Sequence, residues 1–221
     1  MGISQQIGVS SLIKPGVCTS TTRPASPYQG QVIFETDTNK LLVWNSTAWV
    51  IPNQTTQNPE GLEFISTTTF TAISTAFING CFSSTYDQYL INVNIITSAT
   101  VDVRLRMRSG TNTTESGSLY DRFGYYQTGA GFTFANSGNQ TSAFLMDVYA
   151  GSSERAMAKI DMFNPNNALH TNMQIQSWGS NSGSIYTWNN RVESTTQYTG
   201  FEINPDSGTV TGTISVYGYR K

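Results

Sequence analysis

The sequence is short of charge. Asp, Glu, Lys and Arg make up 12% of its 221 residues, where a quarter is usual, and the formal net charge is −2. Binding a phosphate backbone needs clustered Lys and Arg, so this balance speaks against nucleic acid as a partner. His170 is the only histidine, which sends every Ser–His–Asp, Cys–His or two-histidine metal scheme through one residue. Its surroundings, Asn166-Asn167-Ala168-Leu169-His170-Thr171, read as a loop and carry no GxSxG or HExxH pattern. Two cysteines, Cys18 and Cys81, are too few for a zinc ribbon or a dense disulfide framework. They read as small buried or interfacial thiols, with a single bridge as the alternative.

Long apolar runs are missing too. No stretch approaches the ~18 apolar residues of a membrane-spanning helix, so membrane insertion is not expected. Residues 1–11 lack the basic start and apolar stretch of a signal peptide, which points to release by lysis rather than secretion. No glycine-rich loop leads into a helix to cradle a phosphate, and no cofactor is implied. Carboxylates for general acid–base chemistry are present as Asp87, Asp102, Asp121, Asp147, Glu154, Asp161 and Asp206, yet none stands in a recognisable pair. The expectation is a protein that is not an enzyme and holds no metal.

Ser, Thr, Asn, Gln and Gly fill the polar positions. These residues divert the backbone to strands, caps and turns, whereas helix surfaces are written in Glu, Lys, Arg and Ala. The fold class expected is all-β: an N-terminal extended arm and a small β-meander, followed by a C-terminal β-sandwich of jelly-roll type. Residues 1–26 form a Ser/Thr/Gly/Pro-rich leader whose weak apolar patch, Ile7, Val9, Leu12 and Ile13, is the candidate docking segment. Residues 27–50 alternate strand and turn as a meander, with Val32, Phe34, Leu42, Trp44 and Trp49 as candidate oligomerisation residues. So short a meander with apolar residues on both faces needs a cover, either the C-terminal domain or the same meander in sister chains. Residues 51–61 read as a linker with Pro52 and Pro59, and residues 62–221 as the sandwich.

Ten strands are predicted in that second part: 64–70, 89–96, 101–108, 123–127, 142–149, 156–163, 172–178, 185–188, 197–203 and 209–219. The cleanest runs from Val101 to Arg108, with Val101, Val103, Leu105 and Met107 on one face and Arg104, Arg106 and Arg108 on the other. That arginine ladder either grips an acidic glycan or a neighbouring subunit, or pairs with cross-strand Asp and Glu. Tyr125, Tyr126, Trp178, Tyr186 and Trp188 are candidates for a sugar-binding surface, because aromatic faces pack on pyranose rings; the alternative is sandwich core.

Residues 23–50, RPASPYQGQVIFETDTNKLLVWNSTAWV, resemble a module that recurs in fibre and virion structural proteins of tailed bacteriophages. Its pattern is a glycine, a strand, a Glu/Asp-Thr-Asp-Thr-Asn-Lys turn, a second strand, and Asn-Ser/Gly-x-x-Trp. Residues 82–91, FSSTYDQYLI, and 212–220, GTISVYGYR, look like the first and last strands of jelly-roll domains in similar phage proteins. The resemblance implies a component of a phage virion, assembled in the host cytoplasm and trimeric. Its N-terminal segment would bind other virion proteins, and its sandwich would face outward toward a host-surface glycan or protein. The position it favours is a tail fibre or appendage serving host attachment. A capsid decoration protein is the alternative and a glycan-depolymerising spike a distant third.

Overall fold

The computed structural model describes residues 15–52, 61–110, 113–128, 131–150, 155–179 and 184–220. The chain divides into two compact units, residues 1–58 and 59–221. It is all-β, with no helix among the described residues.

The first unit is a four-stranded sheet of β1 (Gly16–Cys18), β2 (Val32–Glu35), β3 (Lys40–Trp44) and β4 (Trp49–Val50). β2, β3 and β4 form the expected antiparallel meander. The end of the predicted leader joins it, since β1 pairs in parallel with β2. Local polar bonds explain why. Asp37, in the turn after β2, accepts hydrogen bonds from the Ser20 amide at 3.0 Å and the Ser20 hydroxyl at 2.6 Å, and the Thr36 amide donates to the Cys18 carbonyl at 3.0 Å. Asn39, at φ 54°, takes the left-handed conformation that Asn tolerates and so closes this turn. In the next turn Asn45 Oδ1 accepts from the amides of Thr47 at 3.0 Å and Ala48 at 2.8 Å, which returns Trp49 beside Trp44, the rings 5.5 Å apart and tilted at 59°.

The second unit is a two-layer sandwich. Its large sheet contains β5 (Leu62–Ile73), β7 (Gln88–Thr97), β9 (Tyr120–Thr128), β10 (Gly131–Gln140), β12 (Ala156–Phe163), β13 (Thr171–Trp178), β14 (Ile185–Val192) and β16 (Val210–Tyr219). Its small sheet contains β6 (Ala76–Ile78), β8 (Val101–Ser109), β11 (Ala143–Val148) and β15 (Tyr198–Pro205). The orders are β10-β9-β14-β13-β12-β7-β16-β5 and β11-β8-β15-β6, and every named pairing is antiparallel. Pairings nest: β5 with β16 and β7 with β12 in one layer, β6 with β15 and β8 with β11 in the other. A path that alternates layers in this nested way is that of a jelly roll.

All ten predicted strands of this unit are present, together with two that were not predicted, β6 and β10. Residues 82–91 lead into β7, the third strand of the unit, rather than forming its first; the first is β5. Strict alternation places Tyr89, Ile91, Val93 and Ile95 of β7 and Ile160 and Met162 of β12 between the layers. The deepest aromatics keep their hydroxyls satisfied: Tyr89 donates to the Ser83 carbonyl at 2.9 Å and Tyr120 to the Glu115 carbonyl at 3.0 Å. Glycine lets other aromatics lie flat on the backbone. A Cβ at Gly124 would stand 2.8 Å from the Trp188 ring, and one at Gly218 would stand 2.6 Å from the Tyr86 ring.

Eight strands facing four leave part of the large sheet without an opposing strand. On that side β14 and β9 close on the edge strand β11, where Phe144 packs on Tyr186 and Trp188 at ring distances of 5.6 and 5.0 Å, and β10 stays exposed on both faces. Arg122 reaches in from β9 to donate to the Ser142 carbonyl at 2.8 and 2.6 Å. Both cysteines are free thiols; Cys81 is buried, and burial pushes its thiol up to about 12, which leaves it unreactive.

Candidate functional site

The outer face of the large sheet is the most distinctive surface of the second unit. Register sets its composition row by row. One row across the strands reads Asn92, Lys159, Gln176, Thr187, Tyr125 and Phe134, and the next reads Asn94, Met157, Trp178, Ile185, Gln127 and Phe132. A third reads Leu90, Asp161, Gln174, Asn189, Phe123 and Asn136. Polar amides therefore occupy the centre, and aromatic rings gather toward β9 and β10. Tyr125 is flanked by Phe132 and Phe134 at 6.4 and 6.3 Å, and Phe134 is 78% exposed. An exposed aromatic cluster on a charge-poor sheet makes this face the candidate contact surface.

Two depressions indent this face. One, of about 610 Å³, is bounded by Asn92, Asn94, Met157, Gln176, Trp178 and Ile185. The other, of about 590 Å³, is bounded by Phe123, Asn136, Asn172, Gln174, Asn189 and Arg191. The charges on this face that line the depressions or stand in these rows are paired within it: Lys159 with Asp161 at 2.9 Å, and Arg191 with Asp121 at 2.7 Å and also with Glu193.

The predicted aromatic site divides between the two sides of the sheet. Trp178 and Tyr125 lie on the outer face, 45% and 42% exposed. Tyr186 and Trp188 are buried on the inner face, and Tyr126 stacks on Tyr186 at 5.7 Å. Their register explains this, because Tyr126 and Tyr186 are direct cross-strand partners and Trp188 shares their face one pleat along. Phe123, within the predicted aromatic segment, is also on the surface, and Phe132 and Phe134 are surface aromatics that the sequence reading did not single out. A Phe-x-Phe in a Gly-flanked run was the available signal.

The arginine ladder lies on the outer side of the small sheet, and it is committed within the chain. Arg104 pairs with Asp102 and with Asp206, the latter at 3.1 Å; Arg106 meets Glu202 at 3.6 Å; Arg108 meets Glu202 at 2.9 Å. Glu202 was invisible as their counterion until β15 was placed beside β8.

The fold also makes a carboxylate pair that spacing did not show. Asp102 and Asp147 are direct cross-strand partners on β8 and β11. Burial first, then a hydrogen bond shared with Asp147, pushes the Asp102 carboxyl up to about 6. Asp147 also accepts from the Tyr186 hydroxyl at 2.5 Å. Glycoside hydrolysis needs two carboxyls about 5 to 9 Å apart with a sugar between them, and a pair in mutual contact leaves no such gap. His170 is exposed in the β12–β13 loop.

In the first unit, Val32, Phe34, Leu41, Val43 and Val50 line one face of the sheet by register, joined by Val17, which is 71% exposed. Leu42 is buried with Ile33 on the opposite face, which also carries Trp44 and Trp49. The docking residues Ile7, Val9, Leu12 and Ile13 lie outside the described residues. No protein-family model matches the chain, and no curated protein or solved structure is detectably similar to it.

Proposed function

We propose that this chain is a non-enzymatic structural component of a tailed-phage virion, of tail-fibre or appendage type. Its N-terminal segment attaches to the particle, and the outer face of the large sheet meets the host surface. The observation that carries the attachment half is that face: uncovered, aromatic at one side, amide-rich at its centre, and with its charges paired internally. The virion half rests on the likeness of residues 23–50 to the phage module and on the partly exposed apolar face of the same sheet. A sheet apolar on both sides is suited to burial against neighbouring chains, as in a trimer around the fibre axis.

The test is direct. Purified full chain should bind bacterial host cells and, added in excess, should block adsorption of the phage that carries it. Absence of both effects would remove the attachment role. A capsid decoration protein draws on the same apolar face, and copy number separates the two readings: hundreds per particle by quantitative mass spectrometry favours decoration, a few dozen or fewer an appendage.

A further inference from the structure

We propose that the outer face binds an uncharged oligosaccharide lying along β13, with one sugar ring stacked on Trp178 and the neighbouring rings hydrogen-bonded by Gln176 and Gln174. This rests on the reading of that face as the attachment surface and names the ligand class it takes.

Length comes first. The two depressions follow each other along β13, one beside Gln176 and Trp178 and the other beside Asn172 and Gln174. At a rise of about 3.4 Å per residue, Asn172 to Trp178 spans about 20 Å, which is longer than a single sugar ring. Two separate depressions on one line suit a chain of several sugars.

Hydrogen-bonding capacity comes second. Among the described residues, the side-chain amides of Asn92, Asn94, Gln174, Gln176 and Asn189 are exposed and make no hydrogen bond within the chain. Each amide presents donors and an acceptor together, which matches a hydroxyl that also does both. An apolar ring beside a run of free amides is the pairing that a pyranose asks for, since it has apolar C–H faces and a hydroxyl rim.

Charge decides the class. The cations that line the depressions are engaged: Lys159 with Asp161, Arg191 with Asp121, and Arg122 with the Ser142 carbonyl. A sialylated or uronate-bearing glycan would have to displace one of these carboxylates, whereas an uncharged glycan displaces only water. A protein partner is disfavoured for a related reason. Interface centres are depleted in polar groups left without partners, and this centre is a field of amides.

The test uses the full chain on a printed panel of uncharged oligosaccharides (glucans, mannans, N-acetylhexosamine oligomers) and of sialylated and uronate-bearing ones. Calorimetry on the best hit then compares wild type with Trp178→Ala and with the double variant Gln174→Ala/Gln176→Ala. The expected result is selective binding of uncharged glycans, weakened at least tenfold in either variant, with unchanged thermal midpoints because these side chains are exposed. Preference for anionic glycans, or uncharged binding indifferent to both variants, overturns the proposal. So does a change of oligomeric state in Trp178→Ala on sedimentation, which would make the face a contact between copies. Cell binding that survives periodate oxidation of surface glycans but not protease treatment leaves the attachment reading standing and removes the saccharide. A chain that binds neither cells nor panel removes both.

Discussion

Arg108 and Glu202 form an ion pair of 2.9 Å in which the two side chains are only 8% and 6% exposed. Its surroundings complete it: Arg108 also reaches Asn79 Oδ1 at 2.9 Å, the Thr114 hydroxyl donates to Glu202 at 2.5 Å, and the Phe77 ring lies 4.3 Å from the guanidinium carbon. Removing one partner of a buried pair costs more than the pair contributes, because the remaining charge stays out of water. Glu202→Ala should therefore destabilise the second unit by about 3–5 kcal/mol, measured by urea unfolding. A loss below about 1 kcal/mol would mean that the pair behaves as an exposed one.

The Asp102–Asp147 pair makes stability depend on pH in a direction opposite to that of most carboxylates. Asp102 ionises near 3.9 when unfolded and at about 6 when folded. A raised carboxyl favours the folded state while it is protonated, so its contribution is full below about pH 4 and is lost as pH rises through 6. Asp102→Asn should remove that dependence. The variant's thermal midpoint relative to wild type should be higher at pH 7.5 than at pH 5, with Arg104 still held by Asp206 at 3.1 Å. A difference independent of pH would sink the assignment.

Glu35 follows the usual sign. Its carboxylate is fully buried in the first unit, and the hydrogen bond from Arg23 first, with that of Thr38 at 2.7 Å also contributing, holds it below the ordinary range. Stability from this group is present above about pH 4.3 and is lost as pH falls through its lower folded value. Arg23→Met leaves a buried carboxylate without its cation. Amide exchange at Ile33 and Leu42 should then accelerate at pH 7, while amides of β7 and β12 keep their protection. Equal acceleration in both units would contradict it.

How much of this was legible in sequence depends on what alternation can report. Strands with one face against the core, such as Val101–Ser109 and Ala156–Phe163, read directly from their period of two. Gly131–Gln140 did not, because it is an edge strand exposed on both faces, and its Asn-Ser-Gly-Asn run mimics a turn. Gly16–Cys18 escaped because three residues carry no period, and its place is fixed by the Asp37 and Thr36 bonds to residues 18–20. Aromatic identity marked Tyr125 and Trp178, but which face each ring takes is a matter of register, and register needs the partner strand. Partners distant in sequence, Arg108 with Glu202 and Asp102 with Asp147, became visible only once the layers were assembled.

Asn190 offers the sharpest test of the packing beneath the proposed binding face. It is 2% exposed, and neither its amide nitrogen nor its carbonyl oxygen has a hydrogen-bond partner among the described residues. Its neighbours on the inner side are Met173 and Arg122, its direct cross-strand partners, and Arg122 is already bonded to Ser142. A buried polar group without a partner costs about 1–3 kcal/mol, and an apolar side chain of similar shape avoids that cost. Asn190→Leu should raise the unfolding free energy by roughly 1–2 kcal/mol and leave the outer face unchanged, since residue 190 points inward. Denaturant unfolding gives the sign: a stability loss of similar size would show that the amide is satisfied in solution and that the inner layer is wetter than its packing implies.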